Sequence, residues 1–600
     1  MTRRFDRRFL TMDGLPATEQ EQARFFAQLQ EGYAAASARA GEIVRDFRVA
    51  GTSVRLRFAG EALIPAIVPG LACPILGVQA DPHCEICLWD SETTGVRLAP
   101  SPRPWRDFTA SGNIWGFDSL RYRSAYQWGE GSVSGMDRET RQAMFWVRSS
   151  KQLPPWVLAA PLRSILHWWM ELNGRQLVHA AAVGYDGRAV LMPGRGGSCK
   201  SSTSLACLLG GLDFISDDYL ALALDPEPRA YRLYSTAKLD PQNLNLYPEL
   251  ATRCRTVHQP GFDKVVLFLE DEYREQLRES LPLKLVLKPR FSGVPETTLG
   301  PVEPSEIERA LASETLVHLP HAGVQTLEFL GRVSNEIPRA AIHLGTDRSR
   351  IPAAIQGALE ARITAAPNRR AGERRPFVSV IVHLCEEDHE ELRSLAAGIE
   401  EQGYPRTELI VAAGGPACAM TDDAASLPGS VRFLSFPEAV VNALAWNCAI
   451  RECFAELLVL LEPGDRLQPG ALDALVRASE RDPGVAWVRG RVVSSEQEDE
   501  SRISLRGALI RKSAFRECGL FTENPFLQGS EHRDWLRRVE QKQLTGIQLD
   551  TVTLHAAGAS KSRPCRLPPK VALGMLKAHV DRRRQLDEAG NRGTQGTILS

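Results

Sequence analysis

The sequence predicts an α/β protein built as two modules with a small β-rich region ahead of them, and three observations carry that prediction. A glycine-rich turn, Gly194-Arg195-Gly196-Gly197-Ser198-Cys199-Lys200-Ser201, stands between a short apolar run and a helix-forming one. Past residues 367–376 a second alternation of strand-like and helix-like stretches begins. Residues 54–146 hold short alternating runs such as Val54-Arg55-Leu56-Arg57-Phe58, which mark the β-rich region.

Taken in order, residues 17–40 carry helix formers with an apolar stripe through Phe25, Phe26, Leu29 and Tyr33, so a leading helix is expected. Residues 161–172 read as another helix, with Trp168 and Trp169 packing under the hairpin that follows. That hairpin is an apolar, β-rich run over 176–183, a Gly184-Tyr185-Asp186-Gly187 turn, and a second strand over 189–192. The glycine-rich turn comes next, and residues 202–209 continue it as a helix. Residues 213–216 form a short strand that runs into Asp217-Asp218. Further strands are expected at 264–268, 285–287 and 341–344, a helix opened by a Ser305/Glu308 capping box, and a helix over 352–363. Residues 367–376, rich in charge and flanked by prolines, read as a linker. Beyond it a strand at 377–382, a helix through Leu395 and a strand at 408–411 predict a parallel, doubly wound sheet. The expected boundaries are 1–150 for the leading helix and β-rich region, 151–365 for the loop-bearing module, 366–376 for the linker, 377–570 for the second module and 571–600 for a C-terminal helix and tail.

Composition sets limits on function. Lys plus Arg is 72 and Asp plus Glu is 73 over 600 residues, so no global basic field draws nucleic acid or an anionic membrane. No stretch reaches the length of a membrane span, and no apolar segment follows the basic start. The 12 cysteines are spread without framework spacing, which suits a reducing, cytoplasmic setting. Cys84-Glu85-Ile86-Cys87, with Cys73 and His83 nearby, supplies only one close pair and is not expected to hold zinc.

The chemistry concentrates around the turn. Backbone N–H groups of Gly194, Gly196, Gly197, Ser198, Cys199, Lys200, Ser201 and Ser202, with the positive end of the helix behind them, would converge on a nucleotide's phosphates. Lys200 would reach the terminal phosphates and the Ser201 hydroxyl would bind Mg²⁺. The residue before the lysine, ordinarily glycine in such loops, is Cys199. Adjacent carboxylates after a strand suit phosphoryl transfer, since one can bind Mg²⁺ and the other can take the attacking hydroxyl's proton. Asp217-Asp218 offers that pair, and the hairpin brings His179 to the same end of the sheet.

The run Leu177-Val178-His179-Ala180-Ala181, the loop beginning at Gly194 and the acid pair Asp217-Asp218 together resemble the catalytic core of HPr kinase/phosphorylase, a fold related to phosphoenolpyruvate carboxykinase. They resemble more closely the HPr-kinase-related proteins found beside ribosomal-peptide modification genes. The resemblance covers residues 155–240 most clearly. It implies ATP and Mg²⁺ as cofactors, Lys200 and Ser201 on phosphates and metal, Asp217 as the acid/base group, and Asp218 and His179 beside the transferred phosphoryl group, with Asp218 a metal ligand. The glutamate-arginine-glycine run that supports phosphorolysis in the bifunctional enzymes is missing.

Residues 376–565 resemble the family 2 glycosyltransferases of the GT-A fold. The residues that carry this are Gln402-Gly403-Tyr404-Pro405 before the second strand, Ala445-Trp446-Asn447 before the middle helix, a strand over 457–465 ending in acids, Gly519-Leu520-Phe521, and the run Gly529 to Trp535. The resemblance implies a nucleotide sugar held through Mg²⁺ or Mn²⁺. The positions that bear this chemistry are altered. Ala412-Ala413-Gly414-Gly415 stands where acids usually end the second strand, and Glu462-Pro463-Gly464-Asp465 stands for the metal-binding Asp-x-Asp, leaving Glu462 and Asp465 as oxygen ligands with His555 as a nitrogen ligand. Glu531-His532 replaces the acid pair that supplies the base, with Glu531 or Asp534 as substitutes.

The resulting expectation is an ATP-dependent kinase acting on a Ser or Thr hydroxyl of a peptide or small protein, fused to a glycosyltransferase-like module, with oligomerisation left open. Two other readings are a glycosyltransferase whose loop-bearing module only senses nucleotide, and a scaffold that binds a peptide without catalysis.

Overall fold

A computed structural model of the chain describes residues 16–72, 82–103, 107–259, 262, 264–361, 375–385, 388–417, 420, 427, 431–436, 440–494, 504–523 and 529–556. The expected linker up to residue 374, Cys73 and the expected tail at 571–600 lie outside the described residues. The protein is mixed α/β with several sheets, and its contacts divide it into two compact units, one within Ala17–Arg374 and one from Arg375 onward.

In the first unit the helix Glu19–Ala40 opens with a reciprocal capping box between Thr18 and Glu21. It buries Phe25, Phe26, Leu29 and Tyr33 against a six-stranded sheet in the order Glu42–Val49, Thr52–Ala59, Cys84–Asp90, Gln142–Val147, Ser132–Asp137, Tyr122–Gln127. Gly135 lets the helix come close, because a Cβ there would lie 2.7 Å from Leu29 Cδ1. Cys84 and Cys87 fall inside the third of these strands, three residues apart and therefore on opposite faces, and burial pushes the Cys87 thiol up to about 12.

Hydrogen bonds cross the boundary expected at residue 150. In the helix Arg163–Leu172, Trp169 Nε1 donates to Thr52 Oγ1 at 3.1 Å and Trp168 Nε1 donates to the Pro320 carbonyl at 2.9 Å. His321 bonds back to the six-stranded sheet, its ring at 2.7 Å from the Ser124 carbonyl and its backbone N–H on Asn113 Oδ1. The β-rich region thus shares a packed, hydrogen-bonded seam with the loop-bearing region.

The second sheet of this unit orders its strands Arg229–Arg232, Tyr219–Ala223, Gln176–Tyr185, Arg188–Pro193, Ser280–Phe291, Arg339–Leu344, Thr298–Gly300. Gln176–Tyr185 also pairs with the short strand Asp213–Ser216. The registers decide where the chemistry sits. Ala180 lies opposite Pro193 on one side and His179 lies opposite Tyr219 on the other, while the Ala180 N–H donates to the Asp218 carbonyl. The end of the loop strand, His179 and the acid pair therefore share one rung of the sheet. A three-stranded sheet, Thr236–Leu239, Val265–Phe268 and Arg255–Val257, brings Lys238 to the same place.

Two element ends differ from expectation. The helix Pro304–His318 is capped by Glu303 with Glu306, not by Ser305 with Glu308, because Pro304 already occupies the first turn and draws Ser305 inside it. The helix expected to run to residue 363 is Ile351–Glu360.

In the second unit an eight-stranded sheet runs Val431–Phe436, Thr407–Gly414, Val378–Leu384, Leu457–Leu461, Leu509–Arg511, Val485–Ser494, Thr545–Ala556, Arg466–Leu467. The first four pair in parallel, as the alternation of β and α predicts, and the Leu457–Leu461 to Leu509–Arg511 pairing is antiparallel. Ala445-Trp446-Asn447 lies inside the helix Asn442–Glu452 and not ahead of it. Its role there is a clamp: Asn447 Nδ2 donates to the Phe521 carbonyl and the Phe521 N–H donates to Asn447 Oδ1.

Candidate functional site

The strand Arg188–Pro193, the turn and the helix Lys200–Leu209 follow one another as the sequence predicts, with the helix beginning at Lys200. Gly194 is confined by the loop itself, since a Cβ there would lie 2.3 Å from Ser198 Oγ. Gly196 and Gly197 face open space and are exposed. Cys199 is the N-cap residue at φ 64°, in the left-handed region. A glycine in this position therefore answers a backbone requirement, besides the steric one at the phosphates, and Cys199 occupies it with strain.

Lys200 is 6% exposed. Its Nζ donates to the carbonyls of Gly194 and Arg195, the latter at 3.0 Å. Burial lowers its pKa, and Asp218, Glu314 and Asp217 oppose that shift. Among the described residues the ammonium is hydrogen-bonded by neutral carbonyls of the turn, which leaves its charge available to an anion seated on the loop. Ser198 Oγ is buried and has no hydrogen-bond partner among the described residues, so the loop holds an unused polar group as well. Ser202 is half-buried and its carbonyl accepts from Tyr247 Oη at 2.8 Å.

The two carboxylates of the acid pair differ sharply. Asp217 is 1% exposed; its Oδ2 accepts the Lys238 N–H at 2.7 Å and its Oδ1 accepts Ser204 Oγ at 3.3 Å. Burial raises its pKa, and the neighbouring Asp218 adds to the effect. Asp218 has one oxygen 2.9 Å from His179 Nε2 and the other 2.6 Å from Lys238 Nζ. Burial works against its charge, but Lys238 and His179 hold it well below the usual carboxylate range.

Burial also lowers the pKa of His179, against the pull of Asp218. Its Nε2 faces the Asp218 carboxylate, and its Nδ1 has no partner among the described residues. The ring lies 5.1 Å from that of Tyr219 and 5.9 Å from that of His318. Glu314, whose carboxylate is 3.4 Å from His318 Nε2, would be raised by burial but is brought to about 2 by His318, His179 and Lys200. Sequence reasoning found His179, Lys200, Asp217 and Asp218, which the fold brings together. It missed Lys238, Glu314 and His318, which arrive from a separate small sheet and from a helix and carry no local pattern.

In the second unit Glu462 and Asp465 are also brought together, but around a side chain. Arg506 bonds both oxygens of Asp465 and lies 3.1 Å from Glu462 Oε2 through Nη1. His555 is exposed, on the strand Thr545–Ala556 opposite Arg466. Glu531 is buried at the start of the helix Glu531–Gln541, and burial raises its pKa. Asp534 pairs with Arg538 at 3.0 Å one turn along the same helix and is committed to it. His532 stacks on Trp446 at 4.9 Å; burial and Arg506 lower its pKa to about 4.

No helix among the described residues is long and apolar enough to cross a membrane. Among those residues no group of three or more His, Cys, Asp and Glu gathers to hold a metal by itself. No protein-family model matches the chain, and no curated protein matches it. Among solved structures the chain is similar to the mannosyltransferase PcManGT from Pyrobaculum calidifontis, in complex with GDP-Man and Mn²⁺, at a TM-score of 0.27 and 17% identity, over 32% of this chain and 59% of that chain. At that level the similarity assigns this chain neither an activity nor a ligand.

Proposed function

We propose that the loop-bearing unit binds a nucleoside triphosphate, ATP in the first instance, and transfers its terminal phosphoryl group to a Ser or Thr hydroxyl of a peptide or small protein. The observation that carries the reading is the meeting of Lys200, held by the turn's carbonyls, with the unequal carboxylates Asp217 and Asp218 on one rung of the sheet.

The unused Ser198 hydroxyl and the open space over Gly196 and Gly197 fit phosphate oxygens, which would also accept the loop's N–H groups. Mg²⁺ would be held at the Ser201 hydroxyl, which starts the helix beside Lys200, and there it would neutralise charge on the phosphates. Asp218, expected as a metal ligand, is less suited, because His179 and Lys238 already face its oxygens. Its work is to fix those two groups: His179 through Nε2 and Lys238 by the ion pair. Asp217, with its raised pKa, accepts the proton of the attacking hydroxyl. Lys200 leaves the carbonyls of Gly194 and Arg195 for the phosphates, so charge developing on the transferred group meets a cation already desolvated.

A second reading has its own observation. Glu531, buried with a raised pKa at a helix start, suits a base in the second unit, in which case the loop unit senses nucleotide and the second unit carries a transfer. Calorimetric titration with MgATP, beside transfer of labelled γ-phosphate to a library of Ser/Thr peptides, separates the two. Binding with transfer that Asp217→Asn abolishes supports the kinase; binding without transfer to any peptide supports the sensor; no binding removes both.

A further inference from the structure

The GT-A resemblance implies a divalent cation at Glu462 and Asp465, and the donor set does not fit one. Asp465 is 1% exposed, and both its oxygens face the Arg506 guanidinium, while its Oδ2 also accepts the Glu462 N–H at 2.9 Å. The remaining carboxylate, Glu462, lies against Arg506 Nη1. The guanidinium thus bridges the two acids, in the place a cation would have to take.

The backbone holds it there. Arg506 forms a bridge with Leu460 at the end of the strand Leu457–Leu461, and the next residue, Gly507, sits at φ 69° with its N–H on the Leu460 carbonyl. A Cβ at Gly507 would lie 2.8 Å from Leu554 Cδ2, so both conformation and space call for glycine. His532 Nδ1 accepts the Leu505 N–H at 3.3 Å and lies 3.3 Å from Ser504 Oγ, whose oxygen accepts the Arg506 N–H. The neighbouring Arg466 is spent on Glu391 at 3.0 Å. Every part of the segment 504–507 is tied to a strand end or a helix start, and Arg506 is buried.

We propose that Arg506 is a built-in cation that closes the acid pair, so that the second unit works without a divalent metal. Glu462, Asp465 and Arg506 together carry one net negative charge, and a nucleoside diphosphate seated there would meet repulsion with no metal to relieve it.

The test counts bound Mn²⁺ by electron paramagnetic resonance on the full chain, alone and with UDP, in wild type and Glu462→Gln. Equal counts are expected, and a count lower by one in Glu462→Gln overturns the proposal. Arg506→Met should gain one Mn²⁺ per chain, lost again in Arg506→Met/Glu462→Gln; a folded Arg506→Met that gains none also overturns it. Should Arg506→Met fail to fold, the wild-type and Glu462→Gln counts decide alone.

Discussion

Both units carry an acid pair at the end of a strand, and they treat it in opposite ways. In the loop unit, Asp218 is balanced by His179 and Lys238, Asp217 is left with neutral hydrogen-bond donors, and Lys200 rests on carbonyls. In the second unit one guanidinium spans Glu462 and Asp465, and the helix Glu531–Gln541 spends Asp534 on Arg538. A buried charge held by neutral groups is free to be re-paired by a ligand, whereas one locked in a bidentate pair costs several kcal/mol to release. Equivalent acids in a sequence therefore do not predict equivalent chemistry; the partner that the fold delivers decides.

Asp217→Asn tests the loop unit hardest. It should cut phosphoryl transfer by about 10²- to 10⁴-fold while ATP affinity by calorimetry is kept. The same variant should melt no lower than wild type near neutral pH. Burial raises the folded pKa of Asp217, so ionisation above that pKa weakens the fold, and asparagine removes the penalty. The gain should vanish as pH falls below the ordinary carboxylate range, where Asp217 is neutral in both states. A variant that still transfers at near wild-type rate would break the contrast between the units.

Lys200→Ala should weaken ATP binding by about 30-fold or more, since a charge-assisted contact with phosphate is lost. Unchanged affinity would mean that the ammonium stays on its carbonyls.

The second unit gives a pH signature. His532 is held at about 4 against an ordinary value of about 6.5, so the unfolded chain takes up its proton first as pH falls. Stability should be lost between about pH 6.5 and 4, by about 3 kcal/mol for this group. His179 shifts in the same direction, so the assignment needs His532→Gln, which should flatten the slope of the second unit's melting transition only.

Cys199→Gly should have the smallest effect. Relief of a left-handed non-glycine residue is offset by glycine's greater freedom when unfolded, leaving a gain below about 1 kcal/mol in a melting experiment. ATP binding should be at least as strong as in wild type.

Much of this was legible before the fold was known. The strand, turn and helix around Gly194 to Leu209 are local, and the spacing of His179, Lys200 and Asp217-Asp218 follows from hairpin geometry. The parallel alternation after residue 376 was legible for the same reason, because β and α periodicities are short-range. What escaped was non-local. Lys238 comes from a separate sheet, Glu314 and His318 from a helix about a hundred residues on, and nothing in Glu462-Pro463-Gly464-Asp465 reveals that Arg506 will close over it. The capping error at Ser305 had a smaller cause: Glu303 is an uncommon cap and hides behind Pro304.

The seam between the six-stranded sheet and the loop-bearing region has a consequence for how this protein could be inherited or cut. Trp169 donates across the seam to Thr52, and Ala72 and Gly70 bond to Leu233 and Ser235 across it. A fragment starting near residue 151 would leave the Trp169 indole, the Leu233 carbonyl and the backbone N–H groups of Ser235 and His321 without these partners. The smallest portable piece that keeps the phosphate loop is therefore Ala17–Arg374 as a whole, and a recombination breakpoint between the six-stranded sheet and the loop-bearing sheet should be lethal to both.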